Sequence, residues 1–207
     1  MKQSNTFFTS DLHIGHKNCI EFDKRPFTDL DHMHRVLVNN YNSSVRPQDT
    51  CYFLGDVGLC AGDILKSVIS QMNGTKVLIL GNHCRGPNAM KNAGFDVVMY
   101  GASLVIAGEL VTMSHCPLIG LPRENTTDMK GSKPEENWHG ESRHQRFYST
   151  ADRGQYHLHG HIHSPNSGKS VKILDKQYDV GVVANSFRPV SISTIESWIS
   201  LHKQGKL

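Results

Sequence analysis

The sequence predicts an α/β domain, and three observations support this. Short apolar, β-prone segments recur along the chain, and helical patterns separate them. One segment, Val77-Leu78-Ile79-Leu80, is continuously apolar, as expected of a strand that is buried on both faces of a layered sheet. The strand candidates also end in polar clusters. These clusters place polar side chains at the carboxyl edge of the sheet, where open α/β folds bind ligands.

The predicted strands and helices alternate along the first part of the chain. Strand candidates cover 6–10, 50–54, 76–80 and 110–114. A helix begins at Thr28, because Asp31 follows at capping-box spacing and an apolar stripe runs on from there. This stripe consists of Leu30, Met33, Leu37 and Tyr41. A second helix carries apolar residues from Ile64 to Met72 and ends at Asn73-Gly74.

The remaining elements include a hairpin, two short strands and a last helix. Residues 104–107 and 110–113 flank Gly108-Glu109 in a predicted β-hairpin. The tail from Val180 holds two further strand candidates, and Ser193 with Glu196 predicts the capping box of the last helix. Residues 117–155 show neither period and carry six basic and six acidic residues. We expect 1–207 to form one domain in which 117–155 is a lid or an insertion loop.

The composition favours a soluble protein of the cytoplasm. A formal charge of +3 without clustered lysine and arginine leaves nucleic acid open as a partner but does not indicate it. The five cysteines are odd in number and lack a CxxC spacing, which favours reduced thiols; they are Cys19, Cys51, Cys60, Cys84 and Cys116. Residues 1–9 lack the apolar run of a signal peptide, and no apolar run is long enough for a membrane helix, so we expect no membrane association.

Five polar clusters that follow strand candidates contain candidate metal ligands. They are Asp11-Leu12-His13, Gly55-Asp56, Gly81-Asn82-His83, Ser114-His115 and Gly160-His161-Ile162-His163. Carboxylate, amide and imidazole ligands without thiolate suit manganese, iron or zinc. Residues 156–163 hold four of the thirteen histidines. Since alternate residues of an extended segment share a face, His161 and His163 can point toward one site. Considered by itself, this stretch is equally well explained as a surface strand with chance histidines.

In order and spacing, the five clusters resemble the signature of the calcineurin-like metallophosphoesterases, which runs DxH, GD, GNH, a lone H and GHxH. The resemblance spans 7–163, and 179–193 is similar to the terminal strands of small bacterial and phage members. It implies a layered α-β-β-α sandwich of two mixed sheets flanked by helices. It also implies two divalent metal ions, with manganese expected first and iron, zinc or nickel as alternatives.

The resemblance also implies a metal for each ligand. The first metal would be held by Asp11, His13 and His163. The second would be held by Asn82, His115 and His161. Asp56 would bridge the two ions, because a carboxylate has two oxygens. A hydroxide between the ions would then attack phosphorus in line.

Four further histidines receive different interpretations. His83 would contact the substrate and protonate the leaving oxygen as general acid. His16 is a candidate contact for the substrate phosphate, with an ordinary loop histidine as the alternative. His157 and His159 match no role in the family and are interpreted as structural, with support of the metal ligands as the alternative.

The implied function is hydrolysis of small nucleotide-like phosphodiesters. The DRG triplet of the protein Ser/Thr phosphatase branch does not follow Gly55-Asp56. A phosphomonoesterase or nucleotide phosphatase is the first alternative. A metal-binding protein with weak or no catalysis is the second, because Cys84 stands where the family has an acid and a thiol orients His83 poorly. Within 117–155, three aromatic residues could stack on a base, namely Trp138, Phe147 and Tyr148.

Overall fold

The protein is built around two mixed β-sheets. The computed structural model describes residues 4–58, 62–118, 153–163 and 176–206. The first sheet has the order β4-β3-β2-β1-β9 and consists of β1 (Thr6–Thr9), β2 (Thr50–Leu54), β3 (Thr75–Ile79), β4 (Val97–Met99) and β9 (Val190–Ser191). The second sheet has the order β5-β6-β7-β8 and consists of β5 (Ala102–Ile106), β6 (Glu109–Met113), β7 (Tyr156–His159) and β8 (Gln177–Asp179).

Strand directions bring several carboxyl ends to shared edges. Strands β1 to β4 run parallel, whereas β9 is antiparallel to β1. In the second sheet β5 and β6 form the predicted hairpin, and β6, β7 and β8 are parallel. The residues that follow β1, β2 and β3 therefore meet at one edge. A parallel bridge between Ser10 and Gly181 connects this edge to the chain that follows β8.

In the described ranges of the chain, five helices flank the sheets. They are α1 (Asn18–Phe22), α2 (Leu30–Ser44), α3 (Asp63–Ile69), α4 (Pro87–Asn92) and α5 (Ile192–Lys203). None of the helices in the described part of the chain is long and apolar enough to cross a membrane.

Two predicted helix starts are wrong by one or two residues. The N-cap of α2 is Asp29, whose side chain accepts a hydrogen bond from the backbone nitrogen of His32, so the cap is not Thr28. The N-cap of α5 is Ser191, whose hydroxyl accepts from the backbone nitrogen of Thr194. The predicted capping box at Ser193 fails because Ser191, at the end of β9, already has the extended backbone that a cap requires.

The first sheet is the central layer, with an apolar core on each face. Phe7 and Phe53 point into a core shared with α2 and α3, which includes Met33, Leu37 and Leu65. The next residue along each strand points the other way. Phe8, Leu54 and Ile79 face the second sheet, where they pack with Val111, Leu158 and Val180. Each such buried side chain stabilises the fold by about 1.5–3 kcal/mol, which fixes the strand register on both faces.

Two mixed sheets with flanking helices confirm the predicted layered α/β sandwich. The single-domain assignment of 1–207 stays a prediction. The predicted lid, 117–155, lies outside the described residues apart from its two ends, as do its three aromatic residues, and its role also stays a prediction.

Candidate metal centre

Six of the seven predicted ligands come together as two groups at the carboxyl edge of the first sheet. In each group, one ligand atom per residue lies within 4.8 Å of the others. The groups are Asp11, His13 and His163, and Asp56, His115 and His161. The seventh predicted ligand, Asn82, has a buried amide oxygen and directly precedes His83, whose backbone nitrogen donates to Asp56 Oδ1 at 3.0 Å.

Most of these residues have a left-handed backbone. Asp11, His13, Asp56, His161 and His163 have φ values of 58°, 52°, 44°, 72° and 46°. A non-glycine residue in a sparsely populated backbone region costs on the order of 1–3 kcal/mol, so the surrounding structure must hold it there. The tight turns let each strand end present its side chain directly at the sheet edge.

Gly160 allows the turn that carries His161 and His163 to approach the residues that follow β1. A Cβ atom on Gly160 would overlap Ser10 Oγ and Asp11 Oδ2. The close approach lets the backbone nitrogen of His161 donate to Asp11 Oδ2 at 2.9 Å. Residues 150 positions apart are thereby held together.

Hydrogen bonds fix which ring nitrogen two of the histidines present to the site. His115 Nδ1 lies 2.7 Å from the carbonyl oxygen of Leu54 and donates to it, which directs Nε2 toward Asp56 Oδ2 at 3.1 Å. His163 Nδ1 lies 2.9 Å from Asp23 Oδ1, and its Nε2 lies 3.1 Å from His13 Nε2. Such outer contacts are those that orient metal-binding imidazoles in proteins.

The residues that orient His163 were not found from the sequence. Asp23 bonds His163 with one oxygen and accepts from Arg25 Nε at 2.9 Å with the other. Arg25 is only 4% exposed, and its Nη atoms also donate to the carbonyl oxygens of Asp11 and Leu12, each at 3.1 Å. The buried guanidinium of Arg25 thus holds the backbone of Asp11 and Leu12 and, through Asp23, the side chain of His163.

Asp23→Asn should weaken metal binding by roughly 10- to 100-fold, the usual effect of losing the carboxylate behind a ligating histidine. The amide keeps an acceptor for His163 Nδ1 but loses the charge that holds Arg25. The measurement is manganese affinity by competition with a fluorescent chelator. Asp29→Asn is the matched control, because an exposed asparagine caps a helix as well as aspartate does. Equal affinities for all three proteins would contradict the role of Asp23.

The buried carboxylates of Asp11 and Asp56 already attract positive charge. Burial by itself lowers the pKa of His163, but its contacts with Asp11 and Asp23 outweigh burial and raise the pKa to about 10. Burial likewise opposes protonation of His115, yet Asp56 raises its pKa to about 9. In the same site burial lowers the pKa of His13 to about 3.

These groups fit divalent cations. The donors are carboxylate oxygens and imidazole nitrogens, and buried His13 Nδ1 has no hydrogen-bond partner among the described residues. Two imidazolium groups supply the positive charge that two cations would otherwise provide. A cation must therefore displace a proton from each group.

Metal affinity should rise with pH. Because His163 and His115 are protonated below about 10 and 9, each bound ion releases about one proton, and affinity gains roughly tenfold per pH unit per ion between pH 6.5 and 8.5. Chelator competition under nitrogen measures this slope, and an affinity independent of pH would contradict it.

The stability of the metal-free protein should change in the opposite direction. A raised folded-state pKa contributes stability that is complete below the unfolded value of about 6.5. This contribution is lost as pH rises through about 9 and 10. Thermal unfolding in a chelator should therefore show a falling Tm over that range.

The other predicted residues line one cleft or its floor. The cleft has a volume of about 920 Å³, and His13, Asp56, His161 and His163 reach it. His83 is exposed on its wall, with its ring centroid 5.9 Å from that of His13. His16 is half-buried in the same wall, 5.5 Å from the His13 ring, and its pKa is lowered by burial and by His83.

Cys84 does not act from within this cleft. It is half-buried and packs against the core beneath the first sheet. Burial and then the charge of Asp56 raise the pKa of its thiol to about 11. A protonated, core-packed thiol is neither a nucleophile nor a substitute for the family's acid.

His157 and His159 have structural contacts. Both are fully buried in β7. His157 Nδ1 lies 2.8 Å from Thr112 Oγ1, and His159 Nδ1 donates to the carbonyl oxygen of Gly160 at 2.9 Å. Burial lowers the pKa of His157 to about 4 and that of His159 to about 3, so both are neutral. These contacts favour the structural interpretation, with His159 also supporting the turn that carries His161.

Comparison with known proteins identifies relatives over most of the chain. No family model matches the sequence. The gene 66 protein of Mycobacterium phage L5 is 36% identical over 187 residues and 87% of each chain. The gene 66 protein of Mycobacterium phage D29 is 30% identical over 181 residues, covering 78% of this chain and 79% of that one.

The fold recurs in a solved structure. AQ665 from Aquifex aeolicus, a protein of unknown function, superposes with a TM-score of 0.67 at 24% identity over 94% of this chain and 99% of that one. YfcE, a phosphoesterase from E. coli, gives a TM-score of 0.39 at 12% identity over 86% and 78% of the two chains. The ordered motifs on two mixed sheets resemble those of the calcineurin-like metallophosphoesterases. The chain belongs to the family of the mycobacteriophage gene 66 proteins.

Proposed function

We propose that this protein is a dinuclear metal-dependent phosphoesterase that hydrolyses small nucleotide-like phosphodiesters. The observation that supports this most strongly is the pair of ligand groups at one sheet edge, each of two histidines and one aspartate. Because these residues come from four separate turns, a shared structural role in the core does not explain their convergence. Two adjacent cation sites suit phosphoryl transfer, in which negative charge must be neutralised.

The ligand assignment follows the two groups. Asp11, His13 and His163 would hold the first ion, and His115, His161 and Asn82 would hold the second. Asp56 would contribute to both sites, because it belongs to the second group and reaches the same cleft as His13 and His163. When bound, divalent ions activate water and neutralise phosphoryl oxygens. Manganese is the ion we expect, with iron, zinc and nickel as the alternatives.

His83 is the proposed proton donor to the leaving oxygen. Its side chain is exposed on the cleft wall, so it can reach an ester bound at the ligand groups. Its backbone nitrogen donates to Asp56 Oδ1, which fixes the position of the His83 backbone beside the second ligand group. His16, on the same wall, is the proposed contact for a phosphate oxygen.

We expect the protein to act on diesters rather than monoesters because of the volume and the lining of the cleft. A volume of about 920 Å³ is large for a phosphate group alone, and the lining includes apolar side chains as well as the histidines. Such walls suit an ester that carries organic groups on both sides of phosphorus.

The four described cysteines are free, and we place the protein in the cytoplasm on that basis.

The decisive experiment combines metal analysis with a paired assay. Purified protein is loaded with each divalent ion, its metal content is determined, and hydrolysis of bis-p-nitrophenyl phosphate is compared with that of p-nitrophenyl phosphate. We expect two ions per chain and faster turnover of the diester. A preference for the monoester would make the protein a phosphomonoesterase. Two bound ions without any turnover would favour a metal-binding protein, and no metal binding at all would rule out the proposed function.

A further inference from the structure

The cleft that contains the metal ligands also has an apolar wall. We define this wall by Phe22, Pro26, Ile162, Val183 and Phe187, all of which line the cleft. Phe22 ends the short helix α1, and 74% of its surface is exposed. Phe187 is held in place by an edge-to-face contact with Phe27, at a centroid distance of 4.8 Å. The wall is therefore partly fixed by packing and partly open to a ligand.

The exposure of Phe22 is unusual for its position. Among the described residues, only two aromatic side chains are strongly exposed apolar groups, Phe22 and Tyr100, and only Phe22 lines this cleft. Single exposed hydrophobic residues are ordinary on protein surfaces. A phenyl ring beside a convergent set of polar ligands is different, because mostly apolar lining with a few placed polar groups is the usual composition of a small-molecule site.

The backbone conformation also marks this cleft as a binding site. Nine non-glycine residues of the described chain have a left-handed backbone, and seven of them are candidate metal ligands or line this cleft. Besides the five ligands, these are Lys24 and Phe187, with φ values of 50° and 58°. Strained backbone persists where the surroundings enforce it and concentrates at binding and catalytic sites. Within the apolar wall, Phe187 shares this property with the candidate metal ligands.

We propose that Phe22 is a substrate-binding residue that stacks on the nucleobase of a nucleoside phosphodiester whose phosphorus lies at the metal ligands. Lys24, exposed in the same lining, adds a positive charge for the anionic ester. A base suits the wall because its planar face covers a phenyl ring while its polar edges stay in water. The assignment rests on the proposed function for the position of the phosphorus.

The kinetic test uses two esters with the same leaving group. The p-nitrophenyl ester of thymidine 5′-monophosphate carries a base, whereas methyl p-nitrophenyl phosphate does not. Phe22→Ala should raise KM for the thymidine ester roughly 5- to 100-fold, the range found for removal of a stacking side chain. The kcat/KM of the methyl ester should stay within about twofold. Tyr100→Ala, which removes an exposed aromatic ring outside the cleft, should leave both substrates unchanged.

A binding measurement separates this proposal from the proposed function. Isothermal titration compares AMP with ribose 5-phosphate, which lacks the base, on the metal-loaded protein. The wild-type protein should bind AMP more tightly, and Phe22→Ala should remove most of that difference even if no ester is hydrolysed. If Phe22→Ala affects both esters equally, or if AMP and ribose 5-phosphate bind alike, the stacking role is wrong. Loss of binding to a protein partner, without any change in AMP affinity, would instead make Phe22 a protein contact.

Discussion

Replacing Asp56 with alanine should reduce turnover by roughly three orders of magnitude or more and strip at least one metal ion from the protein. Asp56 is almost fully buried, with Oδ2 3.1 Å from His115 Nε2 and Oδ1 bonded to the backbone nitrogen of His83. Alanine removes the proposed bridge and also releases the turn that carries the proton donor. The measurements are metal content per chain and steady-state hydrolysis of bis-p-nitrophenyl phosphate.

Two further variants distinguish loss of the bridge from loss of stability. Asp56→Asn keeps an acceptor for the His83 backbone and nearly the same volume but loses the ion pair with His115. Its Tm should therefore fall less than that of Asp56→Ala, while metal and turnover are still lost. Asp63→Ala removes an exposed carboxylate from the first turn of α3 and should change neither. If Asp56→Ala retained two ions and near-native turnover, Asp56 could not be the bridging ligand.

The convergence of the candidate ligands could be predicted because sequence and topology coincide there. Strands β1 to β3 are buried on both faces, so their apolar segments stand out in the sequence. Parallel pairing then brings the residues after each strand to one edge without any knowledge of distances. Asp11, Asp56 and His83 lie in the turns that follow these strands, and their proximity in the fold was foreseeable from that alone.

The side chains of Asp23 and Arg25, which hold the candidate ligands in place, could not be predicted in this way. Asp23 and His163 are 140 positions apart, and nothing in the local pattern around Lys24-Arg25-Pro26 indicates a buried arginine. Arginine is almost never fully buried unless it is paired, so composition favoured an exposed side chain. The apolar wall was missed for a similar reason: α1 has only five residues, too few to show a helical period, and the exposure of Phe22 depends on tertiary contacts.

Replacing His83 with alanine should lower turnover by roughly a hundredfold or more while leaving two metal ions bound. The structure gives a reason for this separation, because His83 contacts Asp56 through its backbone nitrogen, which alanine keeps. Its exposed side chain contributes little to stability, so the Tm should change by no more than a few degrees.

The loss of turnover in His83→Ala should depend on the leaving group. It should be smaller for p-nitrophenyl esters, since p-nitrophenolate leaves readily without a proton, and should reach its full size, roughly a hundredfold or more, for alkyl diesters. Arg85→Ala, which removes the exposed side chain two residues further on, is the control and should not change this dependence on the leaving group. Equal losses on both ester types would exclude His83 as the proton donor, and a loss of bound metal would make it a ligand instead.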